Sequence, residues 1–245
     1  MSEQLIPIFI PLLFAVAFLY ASVGHGGASG YLALMVIFGF STTVMKPTAL
    51  MLNVFVSLVA FLQYYRAGYF KWKLFLPFAI ASVPMAFLGG TIEVDANLYK
   101  KILGILLIFP IMRLFGFFGK DPEGLRDANM TLSVVIGAGI GFLSGLIGIG
   151  GGIILSPLIV LLHYARMKET AGVSALFIFV NSLSGLAGQI KTGVQFDSQM
   201  VYMVLVAFAG GALGAYYGVN KFNNVMLKRF LAFVLVIACF KLLSV

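Results

Sequence analysis

Ser144–Leu158 reads SGLIGIGGGIILSPL, and Ser22–Leu32 reads SVGHGGASGYL. Each sets a glycine run inside apolar sequence that is otherwise long enough to cross a bilayer. Glycine in mid-membrane frees backbone N–H and C=O groups that lipid cannot satisfy. Such backbone persists only where it is buried in protein or lines a wet cavity. Two interruptions at corresponding places in the two halves of a chain are the pattern of a binding site made from broken membrane helices.

The remaining composition agrees with a membrane setting. The 245 residues are 61% hydrophobic and 10% charged, and the mean hydropathy is +1.07. A soluble domain is about 45–50% apolar and about 25% charged, so a soluble fold of this length has nowhere to bury the excess. Strands of a membrane barrel would alternate polar and apolar residues, whereas these segments are apolar on all sides. The predicted fold class is all-α: a polytopic transmembrane helical protein with two inverted repeats and glycine-broken short or re-entrant helices near the midplane. The net charge of +8 comes mostly from residues between hydrophobic segments, which reads as membrane topology and not as affinity for nucleic acid. The single cysteine, Cys239, excludes an internal disulfide framework and a cysteine metal cluster. It lies in the last apolar segment as a packing residue, and neither a metal nor a cofactor is expected. The first apolar run begins at Leu5 with no Lys or Arg before it. Without a basic leader region or a cleavage site, it is expected to stay as the first helix.

Segments of roughly 18–20 apolar residues read as spanning helices. In order these are Leu5–Ser22, the short Ala28–Phe40, Pro47–Tyr65, Leu74–Gly90 and Leu98–Phe118, the last with Pro110 as a kink. After the polar loop Gly119–Asn129 the order repeats: Met130–Ile147, the short Ile153–Tyr164, Glu169–Ile190, Met200–Tyr217 and Val225–Leu243. Residues 1–121 form the first repeat with the start of its linker and 122–245 the second, in one integrated membrane domain. Gly24, Gly26 and Gly27 stand 124 positions before Gly148, Gly150 and Gly151. Lys46-Pro47-Thr48-Ala49 parallels Lys168-Glu169-Thr170-Ala171, and Arg66-Ala67-Gly68 parallels Lys191-Thr192-Gly193. Matches that keep their order across each half argue for an internal repeat.

Charge sets the orientation. Lys46, Lys100, Lys101, Lys191 and Lys241 fall on one face. Arg66, Lys71, Lys73, Arg113, Lys120, Arg126, Arg166, Lys168, Lys221, Lys228 and Arg229 fall on the other. The positive-inside rule puts the larger set in the cytoplasm and the amino terminus outside. Equivalent loops then lie on opposite faces, so the repeats are inverted. The parity holds whether the first two segments of each half both span or form a re-entrant hairpin.

The candidate substrate-binding residues are Gly24, His25, Gly26, Gly27 and Asn53 in the first half, and Gly148, Gly150, Gly151, Gly152 and Asn181 in the second. The short helices begin just after the glycines, so their free N–H groups and positive dipole ends face a central cavity, an arrangement that binds anions without a full positive charge. Close helix packing is the competing reading of glycine in membrane helices. It is the simpler one for Gly137, Gly141 and Gly145 and for Gly210, Gly214 and Gly218, each set spaced by four. His25 can donate to an anion, take a coupling proton or be a hydrogen-bonded structural residue; its counterpart is Ile149. His163, beside Tyr164 and Arg166, reads as interfacial. Asn53, Ser57 and Gln63 lie within one apolar segment and Asn181, Ser182, Ser184 and Gln189 within its counterpart. Such groups in hydrocarbon need each other or a substrate as partner. Lys46, Lys168, Glu169 and Gln189 are the pathway or coupling candidates. The two lysines are either on an anion path or snorkelling anchors, and Glu169 also suits a helix start on dipole grounds. No Asp or Glu lies deep inside a spanning segment, which disfavours a cation pump.

Gly148-Ile149-Gly150-Gly151-Gly152 with Ser156-Pro157-Leu158, followed by Glu169-Thr170-Ala171, Asn181 and Lys191-Thr192-Gly193, resembles the TauE/SafE family of sulfite exporters over nearly the whole chain. In the first half His25, Ala28 and Ser29 break the glycine string. The resemblance implies a prokaryotic inner-membrane carrier of small sulfur-containing anions such as sulfite, sulfoacetate or thiosulfate. It does not choose among them or fix the direction.

The leading expectation is a secondary transporter working by alternating access on a proton or membrane-potential gradient, since no GxxxxGK[ST] sequence is present. The alternatives are an anion channel and, less favoured, a membrane enzyme or assembly subunit. The expected partners are a small anion and the lipid bilayer. An oligomer is neither required nor excluded.

Overall fold

The computed structural model describes residues 6–22, 24–116, 122, 124–194, 198–220 and 225–244. These form the helices α1 (Ile6–Ala21), α2 (Ala28–Ile37), α3 (Thr42–Arg66), α4 (Trp72–Thr91) and α5 (Ala96–Leu114), then α6 (Met130–Ile147), α7 (Gly152–Leu161), α8 (Met167–Lys191), α9 (Ser198–Asn220) and α10 (Val225–Leu243). Among the described residues there is no strand. Thr42–Arg66, Trp72–Thr91, Met130–Ile147, Met167–Lys191 and Met200–Val219 are long and apolar enough to cross a membrane. The expected boundary after residue 121, and Lys120 and Lys221, lie outside the described residues, as do the side chains of Arg113, Lys228 and Arg229.

Helix ends follow local chemistry. Asn129 caps α6, its Oδ1 accepting the Leu132 N–H at 3.0 Å. The two short helices, ten residues each, stop at Ile37 and Leu161, before the expected Phe40 and Tyr164. Gly39 (φ 75°) and His163 (φ 60°) adopt the left-handed turn that closes a helix end, a conformation unusual for a non-glycine residue such as His163. The third helix of each half starts earlier than expected. α3 begins at Thr42, placing Lys46 and Pro47 inside it, and α8 begins at Met167, placing Lys168 and Glu169 in its first turn. At the α8 start, Glu169 accepts the Arg166 N–H at 3.0 Å and pairs with Lys71 at 2.8 Å.

These boundaries allow α3 and α8 to be compared position by position. α3 and α8 are both 25 residues long, so Thr42 aligns with Met167 and Arg66 with Lys191. Along these helices Lys46 corresponds to Ala171 and Asn53 to Ile178. The likeness of KPTA to KETA had paired Lys46 with Lys168. Side-chain type set that pairing, whereas the helix caps set position.

The packing follows an exchange pattern. α4 lies on α6 and α1 on α9; α4 on α8 and α3 on α9; α2 on α10 and α7 on α5; α3 packs on α8, and α5 on α10. The glycine rows make the tightest of these contacts. Gly137, Gly141 and Gly145 of α6 rest on the backbone of Phe78, Ser82 and Ala86 of α4. Gly210, Gly214 and Gly218 of α9 rest on Phe14, Phe18 and Ser22. Each row steps by four against a partner row stepping by four, with no room for a Cβ, as expected where small residues let membrane helices approach. Cys239 packs on α5, its thiol donating to the Gly104 carbonyl at 3.3 Å. Ile80, Val135, Leu205 and Phe240 on the outer surface are exposed, as a lipid-facing wall requires.

Candidate functional site

Both interruptions lie in the interior. Residues 24–36 and 144–157 are buried without a break. Gly24, Gly27, Gly148, Gly150 and Gly151 all have positive φ, which only glycine adopts without strain. α2 starts after Gly27 and α7 after Gly151, and neither start has a side-chain cap. The first N–H groups of a helix have no partner within it, so each of these starts places backbone donors at a positive dipole end within the buried interior.

α3 and α8 bring the interruptions together. A Cβ placed on Gly26 would lie 2.5 Å from Asn53 Oδ1 and 2.8 Å from Ile178 Cγ2. One on Gly150 would lie 2.6 Å from Asn53 Nδ2, 2.8 Å from Ile178 Cγ2 and 3.1 Å from Ser182 Oγ. Asn53 and its helical counterpart Ile178 therefore both touch both glycines. Gly24 meets Ala171, and Gly148 meets Lys46, by the same exchange. The carbonyls just before the two gaps are satisfied by tyrosines: Tyr64 donates to Ser22 O at 3.1 Å and Tyr99 to Ile147 O at 2.8 Å.

Asn53 is fully buried, and neither polar atom of its side chain has a partner among the described residues. The buried Ser182 hydroxyl also has none. Asn181 donates back to Phe177 O at 2.8 Å, leaving its Oδ1 unpartnered. A buried amide without hydrogen bonds is costly. His25, 2% exposed, has Nε2 3.0 Å from Ser156 Oγ, which is 2.6 Å from Ser174 Oγ. It ties the first gap to α7 and α8. A cavity of about 10 Å³ lies among Tyr20, His25, Gly26, Ser29, Ile149 and Ile178, room for one water. It is too small for a larger anion.

The pathway candidates separate. Lys46 and Gln189 share a larger cavity of about 230 Å³ at one end of α3 and α8. Lys168 is elsewhere, bonded to Tyr69 Oη at 3.3 Å and Val219 O at 3.4 Å, with its ammonium 5.0 Å from the Tyr69 ring. Glu169 is engaged by Lys71 and Arg166. Ser174 and Ile178 were not singled out from the sequence, and Ser156 only within the Ser156-Pro157-Leu158 motif. The serines carry only a generic polar signal, and an isoleucine in an apolar helix carries none.

A helical protein with five membrane-length apolar helices among its described residues and two buried helix starts without side-chain caps has the make-up of a membrane transporter. The sulfite exporter TauE/SafE family matches residues 9–242, and the chain belongs to that family. It is 31% identical to a probable membrane transporter protein of Sinorhizobium fredii over 94% of this chain and 95% of the relative. It is 26% identical to another of Methanocaldococcus jannaschii over 77% and 75%, and 26% identical to one of Bacillus subtilis over 69% of each. No solved structure matches. The protein is a multi-span membrane transporter rather than an enzyme.

Proposed function

We propose that the chain is a secondary carrier of a small sulfur-containing anion, of the sulfite, thiosulfate or organosulfonate class, that works by alternating access on a proton or membrane-potential gradient. The site comprises the two uncapped helix starts after Gly27 and Gly151, the glycines that clear space there, and the Asn53 amide. The observation that carries this reading is the buried Asn53 side chain, set against both Gly26 and Gly150 with no protein partner for either polar atom. Backbone N–H groups and an amide NH₂ replace the hydration shell of an oxyanion without a fixed positive charge. The family's description supplies the sulfur anion. The exchange pattern of the packing supports inverted repeats, which supply two equivalent states for alternating access. The charge distribution supports an inner-membrane location with the amino terminus outside. The small volume at the centre favours a carrier that occludes its substrate over an open channel.

The test is flux of labelled sulfite, thiosulfate and sulfate into proteoliposomes of the pure protein, with and without a pH gradient. Saturable flux of a sulfur oxyanion, with accumulation when the gradient is imposed, is the expected result. No flux of any of them, or conductance far above carrier turnover, would overturn it.

A further inference from the structure

The cavity of about 230 Å³ is walled by Lys46 of α3, by Gly90, Ile92 and Glu93 at the end of α4, by Tyr99 and Leu146, and by Gln189 of α8. Its floor reaches the second glycine run. Leu146 is in the wall, Tyr99 donates to Ile147 O, and Gly148 packs on the Lys46 backbone. Gln189 is 2% exposed, and neither its Nε2 nor its Oε1 has a partner among the described residues. Lys46 directs its ammonium to the carbonyls of Gly90 (3.3 Å) and Ile92 (3.2 Å), and carbonyl bonds leave its charge in place. The end-for-end counterparts of Lys46 and Gln189 on α8 and α3 are Ala171 and Tyr64. Ala171 is packed on Gly24, and Tyr64 is bonded to Ser22. The basic and amide pair is therefore particular to this end.

We infer that this cavity is an anion-recruiting vestibule, in which the Lys46 ammonium and the Gln189 amide hold a sulfonate or sulfur oxyanion on its way to the glycine runs. This rests on the anion-carrier reading above. Glu93 shares the wall and moderates the attraction. On the charge count, this end is the outer face. A lysine at a low-dielectric opening concentrates anions by focusing its field, and a buried amide without protein partners gains hydrogen bonds from a polar guest. Recruitment and occlusion are thus separate steps at separate places.

The test does not depend on transport. Thr43 is exposed and lines the vestibule. Thr43→Cys is made in a Cys239→Ala chain and held in nanodiscs. Its labelling rate is compared for a thiosulfonate reagent bearing a sulfonate and one bearing a trimethylammonium. The expected result is faster labelling by the anionic reagent, with the anion-to-cation ratio falling about tenfold in Lys46→Met and rising in Glu93→Gln, as field focusing by one charge predicts. Methanesulfonate should slow labelling, and Gln189→Leu should raise the concentration needed by at least about fivefold. Thr192→Cys repeats the comparison if the first variant folds poorly. Preference for the cationic reagent, or a ratio indifferent to Lys46→Met, would overturn the vestibule. Anion selectivity here in a protein that moves no sulfur anion would leave the vestibule standing and overturn the transport reading alone.

Discussion

Replacing Asn53 with leucine should make the protein more stable and inactive. Asn53 is fully buried, and both polar atoms of its amide lack partners. The Ser57 hydroxyl donates to its backbone carbonyl, a bond that survives the substitution. A buried unsatisfied polar group costs about 1–3 kcal/mol, and leucine fills nearly the same volume without it. The expected gain is therefore about 1–3 kcal/mol, or about 2–12 °C in Tm at this chain length. Thermal unfolding in nanodiscs, followed with and without sulfite, measures both halves of the prediction. Wild type should gain about 2.7 kcal/mol at an anion concentration a hundred times Kd, and Asn53→Leu nothing. If Asn53 instead holds the fold together, the variant loses stability. A destabilised variant that still responds to sulfite would refute the reasoning.

Gly141 and Gly139 sit on the same helix, but a Cβ at Gly141 falls on the Ser82 backbone while nothing lies within 4 Å of one at Gly139. Gly141→Ala should cost about 1–3 kcal/mol by overpacking and Gly139→Ala should be neutral or stabilise by up to about 1 kcal/mol, read by thermal unfolding. Tyr99→Phe leaves the buried Ile147 carbonyl without its 2.8 Å bond and should cost about 1–3 kcal/mol in the same assay. Glu169 is held by Lys71 and the Arg166 N–H in a local structural role. Glu169→Gln should therefore lower stability by about 1 kcal/mol or less and leave the response of flux to a pH gradient unchanged.

Much of the architecture was legible because membrane helices show their character in composition and small-residue spacing. The rows Gly137–Gly141–Gly145 and Gly210–Gly214–Gly218 read as packing faces, and each is found on the backbone of a neighbouring helix. The two glycine runs marked the helix starts because glycine alone serves at φ near 75°, the value at Gly24 and Gly151. The residue-level correspondence was less legible. The repeated tetrapeptide drew attention to Lys46 and Lys168, but helix position follows from the caps at Ser41 and Arg166. That register sets Asn53 opposite Ile178, not Asn181. The candidate site is thus polar at Asn53 and apolar at Ile178, which no single polar motif reveals. The apolar run predicts α3 from Pro47, whereas the helix extends back to Thr42 with Pro47 inside it.

The most direct measurement of a single site shared by both glycine runs is equilibrium binding of labelled sulfite to the pure protein, for wild type, Gly26→Ala and Gly152→Ala. Neither glycine has positive φ, and a methyl on either presses on Ile178 at the centre. One anion per chain, weakened at least about tenfold by each substitution alone as lost donor geometry predicts, is the expected result. Two anions per chain, or affinity lost from one run and untouched by the other, would contradict it.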